Sequence, residues 1–233
     1  MMAPSAKKKT ARKEESPVLL RGRAVKILRI LRREFPQPKT ALLHQNPFQL
    51  LVATILSAQC TDERVNMVTP GLFAKFPGPA DFAVRSQAEL EREIRSTGFF
   101  RMKAKNIITC SAALMDRHKG SVPDRIDDLI ELPGVGRKTA NVVLGQAFGI
   151  SSGIVVDTHV HRLSQRLGLT RADSAEQIEQ DLMALYPKKD WIDVGSVLIL
   201  HGRRTCNARK PKCPQCPVRD HCPSAALFLE QLR

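Results

Sequence analysis

The sequence is poor in three features that mark common protein classes: aromatic residues, long apolar runs and strand-forming segments. Phe, Trp and Tyr together supply 5% of the 233 residues, with one Trp and one Tyr. No apolar run reaches the roughly 18 residues of a membrane-spanning helix, and no basic and apolar leader marks the chain for secretion. These absences predict a soluble protein with no membrane partner, kept in a reducing compartment.

The shortage of strand signals points to the fold class. The only β-like stretch is Ile154–Val156, which is too short to build a sheet. Elsewhere, apolar residues recur at helical spacing, with breakers such as Pro77–Pro79 between the segments. Helices are predicted at Arg23–Arg33, Phe48–Ala58, Ala88–Ser96, Lys103–Arg117, Arg125–Glu131, Lys138–Phe148, Asp157–Leu167, Ala175–Leu185 and Val194–Arg203. The fold is therefore expected to be all-α.

Acidic residues are outnumbered, since Lys and Arg count 37 against 23 for Asp and Glu, a formal net charge of +14. Residues 1–17 hold five basic and two acidic residues and almost no apolar ones, so this segment is predicted to be a disordered basic tail. Most of the excess charge falls on the rest of the chain. A folded domain this basic usually meets a polyanion, most often nucleic acid; a solvated surface is the alternative.

Four of the six cysteines lie close together as Cys206-x6-Cys213-x2-Cys216-x5-Cys222. Disulfides explain this pattern poorly in a reducing compartment. Zinc sites usually repeat the C-x2-C unit, whereas four-thiolate ligation of an iron-sulfur cluster tolerates uneven gaps, and the last three cysteines each precede proline. The spacing favours a 4Fe-4S cluster, with zinc and free or paired thiols as alternatives. The two remaining cysteines, expected to be packing residues in helices, are Cys60 and Cys110.

The segment Leu132–Ala140 reads LPGVGRKTA and joins two predicted helices. Gly134 and Gly136 permit a tight turn with positive φ. Backbone N–H groups left uncovered at the following helix N-terminus favour an anion such as a DNA phosphate. Many helix pairs use a Gly-x-Gly turn only structurally, but the Arg-Lys that follows, in a basic chain, favours DNA.

Two residues are candidates for catalysis. Lys138 falls in the first turn of the second helix, where the helix dipole disfavours a cation, so it is a candidate nucleophile; a phosphate-binding lysine is the alternative. Asp157 follows an apolar triplet and opens a helix, so it is predicted to be an N-cap, a role compatible with catalysis. His159 and His161 lie two apart on that helix and diverge, so pocket or packing roles are expected instead of metal ligation.

These segments together resemble one known family. Leu132–Ala140, Val156–His159, Ile55–Asp62 and the terminal cysteine loop are similar, in order and spacing, to endonuclease III, a DNA base-excision glycosylase, over roughly residues 18–223. The resemblance implies a two-domain helix-hairpin-helix glycosylase fold. A six-helix barrel would span residues 40–150, a cluster domain would combine residues 18–39 and 151–233, and the active-site cleft would lie between them.

The resemblance also assigns roles to single residues. It implies that Lys138 is the nucleophile, that Asp157 assists it, and that the four clustered cysteines bind a 4Fe-4S cluster. Gln59 and Phe99 are expected to fill and brace the duplex at the position that the base has left. Further DNA contacts are expected from Gly134, Val135, Gly136, Arg209, Lys210 and Lys212. The expected pocket neighbours are Asp62 and His159.

The activity implied is that of a bifunctional DNA glycosylase and abasic-site lyase, which removes oxidised pyrimidines through a Schiff base at Lys138 followed by β-elimination. The partner would be double-stranded DNA with a damaged base or an abasic site, and the protein would be a monomer. It would be located in the bacterial cytoplasm, associated with the nucleoid, or in the nucleus or mitochondrion of a eukaryote. Three alternatives remain: a monofunctional adenine-mismatch glycosylase, whose branch lacks the nucleophilic lysine; a non-catalytic DNA-binding module; and a structural zinc protein.

Overall fold

The computed structural model describes residues 15–230, so most of the predicted basic tail lies outside the described residues. Helices and turns account for the regular structure of this part of the chain, and it contains no strand. The α-helices are α1 (Pro17–Glu34), α2 (Pro47–Leu56), α3 (Asp62–Lys75), α4 (Pro79–Ala83), α5 (Gln87–Ile94), α6 (Phe100–His118), α7 (Ile126–Ile130), α8 (Arg137–Val143), α9 (Thr158–Arg166), α10 (Ala175–Leu185), α11 (Trp191–Arg204) and α12 (Ala225–Glu230). The expected all-α fold is confirmed.

The end of the predicted tail at residue 17 is wrong. The Ser16 side chain accepts a hydrogen bond from the Leu19 N–H at 3.4 Å and caps α1, which begins at Pro17. Glu15 forms an ion pair with Arg23 at 2.8 Å. Ser-Pro is a helix-start signal, because serine caps the free N–H groups and proline fits the first helical position. The last residues assigned to the tail therefore begin the folded part.

Three helices went unpredicted: α3, α4 and the short C-terminal α12. Helix α3 contains Pro70 followed by Gly71, a pair that interrupts the helical pattern, yet the helix runs through both. Its start carries clear signals, with Thr61 as N-cap and two acidic residues in the first turn. Helix α4 has five residues after the breaker segment. The predicted helix Lys138–Phe148 is divided, because α8 ends at Val143 and a π-helical turn occupies Leu144–Phe148.

The helices pack around two separate hydrophobic clusters. The first cluster spans residues 42–148 and includes an edge-to-face stack of Phe48, Phe82 and Phe76, with centroids 5.5 and 5.4 Å apart. The second joins α1 to α9, α10 and α11. Within it, the buried Tyr186 hydroxyl donates to the Ala24 carbonyl at 3.2 Å, which ties α10 to α1. The chain thus enters the second cluster at its start and returns to it after residue 153.

A buried polar contact joins α8, of the first cluster, to α10, of the second. Glu179 is 4% exposed and accepts hydrogen bonds from Arg137 Nε at 2.6 Å and Asn141 Nδ2 at 2.9 Å. Gly153 lets the chain pass beside this pair, since a Cβ there would lie 1.9 Å from Glu179 Oε1. The hairpin helix is thereby held against the other half of the molecule. No helix among residues 15–230 is long and apolar enough to cross a membrane.

Candidate active site and cysteine loop

The turn between α7 and α8 has one residue that must be glycine. Gly134 has φ +77°, and a Cβ there would lie 2.7 Å from the Cβ of Asn106. Gly136 has φ −87° and is the extended N-cap of α8, so the positive φ predicted for it is wrong. Val135 is 5% exposed and donates its N–H to the Leu132 carbonyl at 3.0 Å. That N–H is already used inside the hairpin, so a direct phosphate contact from it, as expected from the sequence, finds no support.

The N-terminus of α8 is left open by its cap. Gly136 has no side chain to accept a hydrogen bond, so the first N–H groups of the helix carry no side-chain cap. Gly134 and Gly136 are both exposed, and their N–H groups make no hydrogen bond to a residue within 15–230. Exposed donors at a helix start attract anions. The hairpin therefore leaves the N–H groups of these two glycines available to an anion.

Lys138 and Asp157 meet at one cleft between the two hydrophobic clusters. The cleft has a volume of about 130 Å³. Lys138 is exposed in the first turn of α8, and Asp157 is half-buried directly before α9. The walls of the cleft are formed on one side by α2 and α8 and on the other by α11 and the segment before α9. The helices therefore bring together two residues that lie 19 positions apart in the sequence.

Asp157 is the N-cap of α9, as predicted. Its Oδ1 accepts hydrogen bonds from the N–H groups of His159 and Val160, both at 2.8 Å. The second carboxylate oxygen, Oδ2, makes no hydrogen bond to a residue of the described part of the chain. Capping therefore fixes the orientation of the carboxylate through one oxygen and leaves the other available to the cleft.

Asp62 lines the same cleft and forms an ion pair across it. Its Oδ2 lies 2.6 Å from Nη1 of Arg203 in α11, and the Asp62 side chain is 14% exposed. The pair joins the first residue of α3 to the last turn of α11. Sequence reasoning placed Asp62 near the pocket but missed Arg203, because no local pattern relates residues 141 positions apart.

His159 does not line the cleft, contrary to the expected pocket position. Its ring contacts α9 and α11 instead, with Nδ1 3.1 Å from Nη2 of Arg162 and with Gly202 packed against its Cβ. Burial lowers the pKa of His159 most, against the opposing effect of the Asp157 carboxylate. Two positions along a helix is a rotation of about 200°, so Asp157 and His159 face different sides. His159 is a packing residue, the other role considered for it.

The two candidate insertion residues both have left-handed backbones. Gln59 has φ +51° in the exposed turn after α2, and Phe99 has φ +48° directly before α6. Phe99 is 66% exposed, which excludes a core position for it. Phe100 is half-buried against the first hydrophobic cluster. Non-glycine residues in this conformation cost roughly 1–3 kcal/mol and concentrate at functional sites.

Cys206, Cys213, Cys216 and Cys222 surround one small cavity of about 20 Å³. Burial raises the pKa of Cys213, Cys216 and Cys222, that of Cys216 to about 11, so a bound metal would be needed to keep these sulfurs ionised. Within residues 15–230, no three His, Cys, Asp or Glu side chains converge on a point that could hold one metal ion. Four cysteines around one cavity are a ligand set used both by iron-sulfur clusters and by structural zinc.

The other two cysteines lie away from this cavity. Cys110 is buried in α6, and burial raises its pKa to about 12. Cys60 is half-buried but lies in the turn after α2 rather than in a helix. Both contact the first hydrophobic cluster, which agrees with their expected role in packing.

The basic segment after Cys206 is fixed by arginines of α9 that the sequence analysis did not single out. Arg166 donates to the carbonyls of Asn207 at 2.8 Å and Ala208 at 2.6 Å, and its Nη1 lies 3.3 Å from Cys206 Sγ. Arg162 donates to the Cys206 carbonyl at 3.0 Å. The three cations that follow on this loop are all exposed, as a DNA-contacting segment requires; they are Arg209, Lys210 and Lys212.

Known proteins are similar to this chain in sequence and in fold. The HhH-GPD superfamily, base excision DNA repair proteins, matches residues 52–188. Endonuclease III of Synechocystis sp. is 54% identical over 203 residues, which cover 87% of this chain and 93% of that protein. A non-covalent endonuclease III–DNA complex aligns with a TM-score of 0.86 at 44% identity, covering 90% of this chain and 98% of the other. A trapped endonuclease III–DNA covalent intermediate also aligns, with a TM-score of 0.86 at 44% identity, covering 91% of this chain and 99% of the other.

The family match over residues 52–188 places the chain in a class of base excision DNA repair proteins. The chain belongs to the endonuclease III family within the HhH-GPD superfamily. It is accordingly a DNA glycosylase and abasic-site lyase of base excision repair. The resemblance expected from the sequence motifs is confirmed.

Proposed function

We propose that this enzyme excises oxidised pyrimidines from double-stranded DNA and cuts the strand through a Schiff base at Lys138. The observation that carries this proposal is the position of Lys138 and Asp157 at one cleft between two helical units. A trapped covalent intermediate with DNA among the similar structures supports it. The monofunctional alternative would lack a nucleophilic lysine at this position.

The chemistry follows from the two residue types. The damaged nucleotide leaves the helical stack, because its glycosidic bond is inaccessible inside the duplex. The neutral amine of Lys138 attacks the sugar C1′, the C1′–N bond breaks, and the base departs with the bonding electron pair. Asp157 Oδ2 takes a proton from the attacking amine or stabilises the positive charge that develops at C1′.

Strand cleavage follows from the covalent intermediate. The sugar ring then opens: the C1′–O4′ bond breaks, O4′ takes a proton, and an imine forms between Lys138 and C1′, which acidifies the proton on C2′. Loss of that proton expels the 3′ phosphate by β-elimination, and water then hydrolyses the imine to release the free amine. One lysine therefore serves both bond-breaking steps, which is the basis of a bifunctional enzyme.

DNA contacts are proposed at three places around the cleft. The exposed N–H groups of Gly134 and Gly136 suit one phosphate, and the cations at 209, 210 and 212 suit others. Phe99 is exposed and apolar, which suits a wedge between base pairs, while Gln59 presents a polar side chain to the orphaned base. None of these contacts reads a sequence, which agrees with a repair enzyme that acts wherever damage occurs.

The four clustered cysteines are proposed to hold a 4Fe-4S cluster. When bound, the cluster would cross-link the segment 206–222 and leave no open iron position, since all four thiolates are committed. Arg166 would then connect the cluster segment to α9 and hence to Asp157. Purified protein is expected to be brown, with about four irons and four sulfides per chain. Stoichiometric zinc without iron would contradict this assignment.

The domain limits, state and location belong to the same proposal. Residues 40–150 would form the barrel, and residues 18–39 with 151–233 the cluster domain, a division supported by the two hydrophobic clusters. The enzyme is proposed to act as a monomer in the bacterial cytoplasm, associated with the nucleoid, because the similar proteins include bacterial endonuclease III. Size-exclusion chromatography with light scattering tests the monomer.

Borohydride trapping tests the proposed nucleophile. Wild-type enzyme mixed with a duplex that holds one oxidised pyrimidine should form a covalent complex, because borohydride reduces the imine. Lys138→Gln should abolish the complex while DNA binding persists. Lys39 also lines the cleft, so Lys39→Gln is the matched control and should still form the complex. Trapping that survives Lys138→Gln and is lost in Lys39→Gln would move the nucleophile to Lys39.

A further inference from the structure

One lysine of α6 is almost fully buried. Lys103, in the first turn of α6, is 4% exposed, and burial lowers the pKa of its ammonium group. A buried cation is costly unless it is well hydrogen-bonded, and an apolar side chain of similar size would avoid the cost. The amphipathic pattern of α6 does not require a charge at this position, so the charge calls for a separate explanation.

The ammonium group of Lys103 connects the beginnings of two loops, the one after α2 and the one before α6. Its Nζ donates to the carbonyl of Leu56 at 2.7 Å and to the carbonyl of Thr97 at 2.8 Å. Leu56 is the last residue of α2, and Thr97 ends the short helical turn before α6. Both carbonyls lie at helix C-terminal ends, where the partial negative charge favours a cation.

The two candidate insertion residues follow these carbonyls closely. Gln59 is three positions after Leu56, and Phe99 is two positions after Thr97. Both are exposed and have left-handed backbones, with φ +51° and +48°. Neither conformation is favoured by the residue itself, so neighbouring contacts must hold it. Lys103 is the side chain that connects the two segments at their bases.

We propose that Lys103 is a positioning residue that holds the loops of Gln59 and Phe99 at a fixed separation, so that both side chains enter the duplex together. The inference rests on the proposed function, which assigns insertion to these two residues. Lys103 does not touch the reacting atoms. Its loss should impair the step that opens the duplex and spare the chemistry at Lys138.

The test compares Lys103→Met with Lys105→Met in single-turnover reactions. Lys105 is an exposed lysine two positions further along α6, so its variant removes the same charge without a contact to either loop. On a duplex with a paired oxidised pyrimidine, Lys103→Met should slow base release about 10-fold to 100-fold, a loss of the size that a shift of about an ångström caused far from the chemistry can produce. On the same duplex with a pre-formed abasic site, borohydride trapping should stay near the wild-type rate.

Three further measurements separate positioning from general stability. Fluorescence of 2-aminopurine placed beside the lesion reports unstacking directly, and its rise should be reduced in Lys103→Met but not in Lys105→Met. In the Phe99→Ala background, adding Lys103→Met should cause little further loss of base-release rate, because the effects of two substitutions that act on the same contact do not add. Lys103→Arg, which keeps the charge and donors, should recover part of the paired-lesion activity.

The outcomes distinguish this inference from the proposed function. If wild-type enzyme neither releases oxidised pyrimidines nor forms a trapped complex, the proposed function fails, whatever Lys103 does. If wild type is active and Lys103→Met loses equal activity on both substrates, Lys103 is only structural and the inference is wrong. Should Lys103→Met not fold, Lys103→Gln is judged by the same ratio, and unfolding of both variants would also overturn the inference.

Discussion

The two carboxylate oxygens of Asp157 have different surroundings. Oδ1 accepts two backbone N–H groups at 2.8 Å, and Oδ2 has no partner within the described residues. The cap supplies orientation, and the free oxygen supplies charge next to the cleft. The cap and the proposed catalytic role thus fall on separate atoms of one side chain, and substitution can separate them.

Asp157→Asn should keep the cap and lose the charge. The amide oxygen can accept the same two N–H groups, so the thermal midpoint should change little. Base release should fall about 100-fold or more if the carboxylate acts in the transition state. Single-turnover kinetics and thermal unfolding measure the two effects. The control is Asp157→Ala, which should lose activity and also about 1 kcal/mol of stability from the missing cap; wild-type rates in Asp157→Asn would leave the residue with capping alone.

Sequence reasoning found some residues of the site and missed others for physical reasons. Lys138 and Asp157 were recognisable because each sits in a contiguous motif at a helix start. Arg203 and Lys103 were not, because their roles depend on partners far away in the sequence, at 141 and 47 positions. The amphipathic pattern also predicts that a lysine in such a helix is exposed to solvent, and only tertiary packing shows that Lys103 is buried.

At the scale of helices, α8 depends on its neighbours. It has seven residues, too few to be stable alone. Besides packing, it is held by the contact of Arg137 and Asn141 with Glu179, and Ser152 Oγ donates to Asn141 Oδ1 at 2.7 Å. The helix that carries Lys138 is therefore oriented by a buried carboxylate of α10.

Glu179→Gln should weaken this attachment. The amide cannot match the ion pair with Arg137, and a buried polar contact left incomplete costs about 1–3 kcal/mol. The enzyme should melt earlier, and trapping on an abasic duplex should slow because Lys138 is less well placed. Asp128→Asn is the control, since Asp128 and Arg125 form an exposed pair at 3.7 Å, worth about 0–1 kcal/mol. Equal effects of the two variants would show that the buried contact does not orient α8.

Helix limits were predictable where caps and breakers agreed with the tertiary structure. The α10 limits Ala175–Leu185 were predicted correctly, because Ser174 caps a regular amphipathic segment. Helix α3 was missed because Pro70 and Gly71 interrupt its pattern, and the contacts of the buried Val65 and Leu72 outweigh that local cost. The π-helical turn after α8 has no simple sequence signal, so its division from α8 could not be foreseen.

At the scale of the whole molecule, each half contributes residues to the cleft. The first cluster contributes the hairpin helix with Lys138, and the second contributes Arg203. The contact of Glu179 and the pair of Asp62 with Arg203 span both halves. The two-part organisation was expected from the family resemblance. The residues that join the parts were not, because they belong to no motif.

Charge determines how the whole molecule meets undamaged DNA. With a formal net charge of +14, binding should release counterions, and log affinity should fall linearly with log salt, with a slope of about −0.9 for each phosphate contacted. Lys210→Gln should reduce the magnitude of the slope by about 0.9. Lys119, directly after the 19-residue α6, serves as the control, because that helix places it about 28 Å from Phe99. Fluorescence anisotropy between 50 and 200 mM salt, the range over which phosphate contacts dominate, measures both. A slope unchanged by Lys210→Gln, or changed equally by Lys119→Gln, would show that the cysteine loop does not contact the DNA backbone.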